Sequence, residues 1–219
     1  MSSSPAELGD RLEQLYTGVI YDVMQEMGQP RTVLPPELRS TDPARKLAGR
    51  VFTVLGNRDE DLDNHESMLA WTEFLTRAPS DHVVVCQPND STIAHMGELS
   101  AETLKLRGIR GYVVDGGCRD VDFIEAIGFP TWCRYLTPAD IRGRWRAERF
   151  EEPIEIGGVE IHNGDYIAAD RDGVVAIPQV RVLEVVEAAE HAVTQEDLVR
   201  EAIRGGTSPK EAYLEHGKF

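Results

Sequence analysis

Apolar and polar positions divide the chain into alternating helical and strand-like periods. At the start, Ser4, Pro5 and Glu7 stand in the order of cap, first helical residue and reciprocal acid, which predicts a helix. Thr17 is placed to cap a second helix, where Ile20, Val23, Met24 and Met27 recur at helical spacing until Gly28 ends it. The proline-rich QPRTVLPPELR must be a loop, and LAGRVFTVLG (47–56) reads as a strand. RDEDLDNHESMLAWTEFLTRAP begins as an acidic loop and becomes a helix through Met68, Leu69, Trp71, Phe74 and Leu75. DHVVVCQP (81–88) is a compact buried strand.

GELSAETLKLRG (97–108) predicts a helix with acids in its early turns and Lys105 and Arg107 in its last, the sign that suits the helix dipole. IRGYVVDGG follows as a strand, VDFIEAIG as a short helix and TWCRYL as another strand. Residues 151–178 differ in kind: short alternating stretches split by GG, NGD and DRDG turns predict antiparallel hairpins. From Gln179 the period is helical again, with a stripe of Val182, Leu183, Val186 and Ala189 running toward Ile203, before Gly205 and Gly206. Ser208, Pro209 and Glu211 cap a last helix. Two strand–helix–strand units imply parallel sheet, and the hairpins imply a second, antiparallel one. The expectation is an α/β fold, a single layered domain over residues 1–219 with mixed sheets and no internal repeat.

Composition narrows the function. The formal net charge of −15 opposes phosphate backbones and anionic lipid, which bind mainly through Lys and Arg. The only basic cluster, RGRWRAER (142–149), is short and reads as a solvated loop, with an interface as the alternative. The apolar runs are strand-length, far below the ~20 residues that cross a bilayer. The start MSSSPAELGD lacks the basic-then-apolar order of a secretory signal. Cys86, Cys118 and Cys133 are odd in number and lie in or beside apolar runs, so reduced thiols in a cytoplasmic protein are expected.

The chemistry concentrates where parallel strands end, since ligands of open α/β sheets bind beyond the carboxyl ends. HMGEL after strand 81–88 and DGGCRD after strand 109–114 should converge there. Gly97 stands at a helix mouth, where the amides of Leu99 and Ser100 are free to hold a carboxylate. Arg119 offers a guanidinium that grips a carboxylate or enolate with two bonds, and Asp120 offers a hard oxygen to Mg²⁺. The neighbouring glycines are read as giving the ligand close access to backbone. The plainer alternative is a surface ion pair worth under ~1 kcal/mol beside an ordinary helix cap. Other chemistry is poorly supported. Lys46, Lys105, Lys210 and Lys218 lie in polar or helix-end contexts, unlike a desolvated Schiff-base lysine. His95 beside the site loop is read as a packed or solvent-facing residue before an acid/base. No cysteine–histidine spacing suits zinc, and DGGC lacks a nucleotide-binding glycine pattern.

GELSAETLKLRGIRGYVVDGGCRDVDF resembles the core signature of the RraA-like family, whose members include 4-hydroxy-4-methyl-2-oxoglutarate/4-carboxy-4-hydroxy-2-oxoadipate aldolases. YTGVIYDVMQEMG resembles the family's opening helix, AGRVFTV its first core strand, and LTPADIRGRW the segment after its central sheet. EIGGVEIHNGDYIAADRDGVVAIP is similar to its hairpin region. The resemblance implies a β/β/α swivelling-domain-type fold in homotrimers or homohexamers. It also implies a class II pyruvate aldolase using Mg²⁺ or Mn²⁺, often with oxaloacetate decarboxylase activity. Gly97, Glu98, Leu99 and Ser100 match the family's substrate-carboxylate loop, Arg119 its substrate-binding arginine and Asp120 its metal ligand. Glu98 also matches an acid near the metal-bound waters.

Ser100, Cys118 and the turn CQPND depart from the common family pattern, which leaves the distal part of the substrate open. Some of the aldolases recruit a glutamate from a neighbour's C-terminal helix, for which Glu184, Glu187, Glu190, Glu196 and Glu201 are all eligible. The resemblance implies one rival class, non-catalytic regulators that bind RNase E, a branch that generally lacks the aspartate found here at 120. A methyltransferase reading has no cofactor-binding pattern behind it.

Overall fold

Side chains alternate across a pleated strand, so a strand buried on both faces must be apolar at every position. The centre of this chain meets that requirement, and the rest is arranged around it. In the computed structural model, which describes residues 3–29 and 31–217, helix α1 (Pro5–Gln14) opens with the expected reciprocal cap between Ser4 and Glu7. Helix α2 (Thr17–Glu26) departs from expectation. Tyr16 holds the cap position without a side-chain bond, and Thr17 is the first helical residue. The acceptor comes from far along the chain. The Asp170 carboxylate accepts from the Thr17 amide at 2.8 Å and from its hydroxyl at 2.7 Å.

The chain then continues through β1 (Arg39–Ser40), β2 (Leu47–Arg58), α3 (Asn64–Arg77), β3 (His82–Gln87), α4 (Glu98–Leu106) and β4 (Gly111–Val114). Next come β5 (Gly117–Cys118), α5 (Val121–Ile127), β6 (Thr131–Cys133), β7 (Tyr135–Leu136) and β8 (Trp145–Phe150). The hairpins are β9 (Ile154–Ile156) with β10 (Val159–Ile161) and β11 (Tyr166–Ala169) with β12 (Val174–Ile177), followed by α6 (Val182–Arg204) and α7 (Pro209–His216). The last helix carries the expected Ser208–Glu211 cap.

The main sheet runs β1-β6-β4-β3-β2-β11-β12, with β8 also on β2. The pairs β2–β3, β3–β4 and β4–β6 are parallel, and the outer pairings are antiparallel. The hairpin β9–β10 and the parallel pair β5–β7 form separate two-stranded sheets, while the other hairpin extends the main sheet. Alternation assigns the faces. Val84, Cys86, Tyr112 and Val114 pack with Trp71, Phe74, Leu104 and Ile124 of the helices. Val83, Val85 and Val113 pack on the other side against Ile154, Ile156, Val159 and Ile161. Helix layer, central sheet and small hairpin thus form the expected β/β/α stack. Phe74 is fully buried between sheet and helices, where truncation to alanine costs about 3–5 kcal/mol. A third cluster joins α1, α2 and the first half of α6 to β11 and β12.

One expectation fails. Residues 145–150 are not a solvated loop but strand β8, paired antiparallel with β2. Trp145 and Ala147 point inward and are buried, while Arg146 and Glu148 point outward. Trp145 lies where a side chain on Gly56 would stand, 2.0 Å from the position of its Cβ, and its indole N–H donates to Pro88 O at 2.7 Å.

The long-range cap on α2 gives a stability test. Asp170→Ala removes both acceptors of Thr17 and should cost about 1–2 kcal/mol, read as a lower urea midpoint with an unchanged slope. An unaltered midpoint would show that the helix start does not depend on this carboxylate.

Candidate active site

The two strand ends meet through backbone pairing. Ala94 bridges to Gly117 in parallel, the His95 amide donates to Gly117 O at 2.8 Å, and the Arg119 amide donates to Met96 O at 2.9 Å. These bonds carry the mouth of α4 against the start of α5, so Gly97, Glu98, Arg119 and Asp120 come together as the sequence reading expects. Gly97 is the cap residue of α4. A Cβ there would stand 2.8 Å from Asp120 Oδ2 and 3.0 Å from Arg119 Nε, so only glycine admits both side chains.

Asp120 adopts a left-handed backbone, φ 57° and ψ 36°, a region in which aspartate is among the better-tolerated residues. Its Oδ2 accepts from the Glu98 amide at 3.2 Å and lies 3.3 Å from Arg119 Nε. Oδ1 has no partner among the described residues, and the side chain is 39% exposed. This is the donor chemistry a hard divalent cation takes when one protein carboxylate suffices and water or substrate oxygens complete the shell. Among the described residues no group of three His, Cys, Asp or Glu side chains converges as a metal cage. Asp120 therefore fits a one-carboxylate site and no richer one.

Arg119 reaches a second carboxylate on its other side, Asp140, at 3.5 Å from Nη1. Asp140 Oδ2 also lies 3.4 Å from Arg142 Nε. Arg119 thus sits between two carboxylates. The first-turn amides of Leu99 and Ser100 have no acceptor among the described residues, as the carboxylate-holding role requires. The Ser100 hydroxyl is engaged elsewhere, accepting from Trp71 Nε1 at 2.8 Å. The Glu98 side chain is exposed and without a partner among the described residues.

Two sequence readings change. Gly116 and Gly117 do not open backbone to a ligand. A Cβ on Gly116 would meet His95 Nδ1 at 2.6 Å, and one on Gly117 would meet the Tyr135 ring at 2.5 Å, so these glycines let the two strand ends close. Asp140 and Arg142 were missed as site residues. They lie some 20 positions beyond Arg119 in a segment whose charges read as surface, brought here by long-range bonds that include the Ala94 N–H to Ala139 O bond of 2.7 Å.

Within one chain the remaining candidates lie apart from this constellation. Among the C-terminal glutamates, Glu184 pairs with Arg181 and Glu190 with Arg11, and Glu196 accepts from the Tyr16 hydroxyl. Glu187 and Glu201 are exposed. Lys46 donates to Leu15 O and Lys105 to Ile127 O, while Lys218 lies outside the described residues. All three cysteines are free and buried. Burial pushes the Cys86 thiol up to about 12, and the Cys118–Cys133 contact together with burial raises Cys118.

His95 is packed, as expected, and fully buried. Neither ring nitrogen has a hydrogen bond among the described residues, and Nε2 stands 3.8 Å from Asp90 Oδ1. Burial lowers its pKa to about 4 against the opposing pull of Asp90.

A family model described as RraA-like: Aldolase/RraA matches residues 17–176. A relative from Halalkalibacterium halodurans, which carries the provisional name 4-hydroxy-4-methyl-2-oxoglutarate aldolase, is 34% identical over 138 residues, 63% of this chain. The match covers 65% of that relative, so the chain spans just under two thirds of its length. A solved structure described among novel cellulases from microbes associated with the gut ecosystem is 30% identical with a TM-score of 0.84, covering 90% of this chain and 88% of that one. RraAS2 of Streptomyces coelicolor, described as an unusual member of the RNase ES inhibitor RraA protein family, shares the fold. Its identity is 24% and its TM-score 0.78, over 91% of this chain and 98% of that one.

The buried imidazole sets a pH dependence. An unfolded histidine protonates near 6.5 and the folded one only near 4, so stability is full above pH 6.5 and falls as pH drops toward 4. The limiting slope is about 1.4 kcal/mol per pH unit. Urea unfolding between pH 7.5 and 5 should show this loss in the wild type and a shallower one in His95→Leu. Equal slopes would sink the assignment.

Proposed function

The chain belongs to the RraA-like family, and from that premise we propose that it is a divalent-metal-dependent aldolase cleaving 4-hydroxy-2-oxo acids to pyruvate. The carrying observation is the junction of Arg119, Asp120 and the α4 mouth. It places a guanidinium, free amides and a carboxylate with one unused oxygen within reach of a single small acid.

Arg119 and the amides of Leu99 and Ser100 bind the substrate carboxylate and fix its 2-oxo end. Among the described residues Arg119 has ion pairs but no side-chain hydrogen bond, so its donors are available to substrate. Asp120 would hold Mg²⁺ or Mn²⁺, which when bound supplies Lewis acidity toward the 2-oxo oxygen. Glu98, the free acid at the helix mouth, takes the 4-hydroxyl proton. The C3–C4 bond then breaks, its electron pair passes into the pyruvate enolate, and Arg119 stabilises the developing oxyanion. C4 leaves as the carbonyl of the second product, and Glu98 returns its proton to C3 to complete pyruvate. Loss of CO₂ from oxaloacetate proceeds to the same enolate, so both reactions fit one site.

The unused oxygen of Asp120 favours this reading over a purely protein-binding regulator, which has no need of a carboxylate there. Glycoside hydrolysis gains no support: it takes two carboxylates facing each other across a sugar ring, and Asp120 and Asp140 both attend Arg119.

The test is pyruvate release from 4-hydroxy-4-methyl-2-oxoglutarate and from oxaloacetate with Mg²⁺ or Mn²⁺. Chelation by EDTA and Asp120→Ala should each abolish it, and Arg119→Ala should lower kcat/KM by about 10²-fold or more. Turnover indifferent to EDTA and to Asp120→Ala would end the metal mechanism.

A further inference from the structure

Among the described residues Arg119 is the one side chain shared by two clefts. The smaller, of about 110 Å³, takes in Gly97 and Leu99 of the α4 mouth and closes on Asp140 and Arg142. The larger, of about 400 Å³, takes in Asp120 and is walled by Val121, Phe123, Leu136 and Pro138. A 2-oxo acid gripped at the α4 mouth fills the small cleft with its carboxyl end, so the rest of its chain runs past Asp120 along the large one. Phe123 and Leu136 are 58% and 61% exposed, and covering them with an apolar group removes that surface from water.

Charge closes the same cleft to anions. Its only cation among the described residues is Arg119, and Asp122 adds a carboxylate beside Asp120. Around the whole site Glu98, Asp120, Asp122 and Asp140 stand against Arg119 and Arg142, four negative charges against two positive. A divalent cation held by Asp120 would cancel the difference, and the first carboxylate of a substrate then restores one negative charge. A second carboxylate would meet that charge with no free guanidinium, since Arg119 holds the first and Arg142 is paired with Asp140. We propose that the Phe123–Leu136 wall is the distal subsite, and that it selects 4-hydroxy-2-oxo acids whose far end is apolar and uncharged. The proposal rests on the aldolase reading and narrows its preferred substrates to monocarboxylates with an alkyl tail. Diacids are cleaved by the same chemistry at higher KM.

Pyruvate, 2-oxobutanoate, 2-oxopentanoate, 2-oxohexanoate and 2-oxoadipate, titrated calorimetrically in Mg²⁺ buffer, test this without turnover. Affinity should rise about threefold with each added methylene. 2-Oxoadipate should bind roughly tenfold more weakly than 2-oxohexanoate, its equal in chain length. Phe123→Ser should flatten the rise while pyruvate binds as in wild type, and Asp122→Asn should bring 2-oxoadipate closer to 2-oxohexanoate. Both residues are exposed, so neither change disturbs the core. In turnover, KM for 4-hydroxy-2-oxohexanoate should lie about tenfold below that for 4-hydroxy-4-methyl-2-oxoglutarate, with similar kcat. A flat series in wild type, or a rise that survives Phe123→Ser, overturns the subsite and leaves the aldolase reading standing. So does a Phe123→Ser variant that changes only the sedimentation coefficient, which would make the wall a contact between copies of the chain. Absence of pyruvate release from oxaloacetate and from both hydroxy acids overturns the aldolase reading, and the titrations still read the subsite on their own.

Discussion

The constraint on which this molecule depends is the pairing of residues 94–96 with 117–119. Parallel strands β3 and β4 deliver their chains in the same direction, but sheet pairing alone would leave the following loops free to diverge. Two backbone bonds hold them together beyond the sheet: the His95 amide on Gly117, part of the Ala94–Gly117 bridge, and the Arg119 amide on Met96. The pairing brings two chains within backbone distance, so side chains are excluded at Gly116 and Gly117, where a Cβ would collide with His95 or Tyr135. It also explains why a histidine can be buried with no partner: the same closure that seals His95 places Arg119. The cost of an unsatisfied imidazole, of order 1–3 kcal/mol, is set against a junction that several elements fix at once.

Much of the fold was legible because period and caps agree at each level. Val83 to Cys86 and Tyr112 to Val114 have to be buried on both faces, which forces a parallel centre covered by helices on one side and by β9–β10 on the other. The capping boxes at Ser4 and Ser208 are local, and local signals survive folding. What was not legible is tertiary. Thr17 looks like a cap by its side chain, yet its hydroxyl and amide are satisfied by Asp170 from 153 positions away. WRAERF does alternate, but three of its six residues are charged, so the apolar face of Trp145 and Ala147 is too thin to announce a strand.

The candidate site divides along the same line. Gly97, Glu98, Arg119 and Asp120 follow strand ends, where the topology itself assigns ligands, and the structure brings them together. Asp140 and Arg142 follow β7, a two-residue strand that pairs in parallel with β5 apart from the main sheet. They arrive because Ala94 binds Ala139 and because Ser67 donates to Ile141 O at 3.0 Å. A whole-chain charge of −15 gives no hint of them, since a net figure averages over just the local imbalance that matters for a small anion.

The weakness of the contacts at Arg119 is itself informative. The guanidinium lies 3.3 Å from one carboxylate and 3.5 Å from another, a third exposed. Pairs of that kind are worth under ~1 kcal/mol each in partial solvent. A bidentate, buried partner would hold the arginine far more firmly, and an incoming carboxylate would then have to displace it at a cost of several kcal/mol. Two loose partners on opposite sides centre the group without saturating its donors. The arrangement trades little stability for a cation that is already oriented when an organic acid arrives, which is the sense in which binding groups must be preorganised before they can discriminate a transition state.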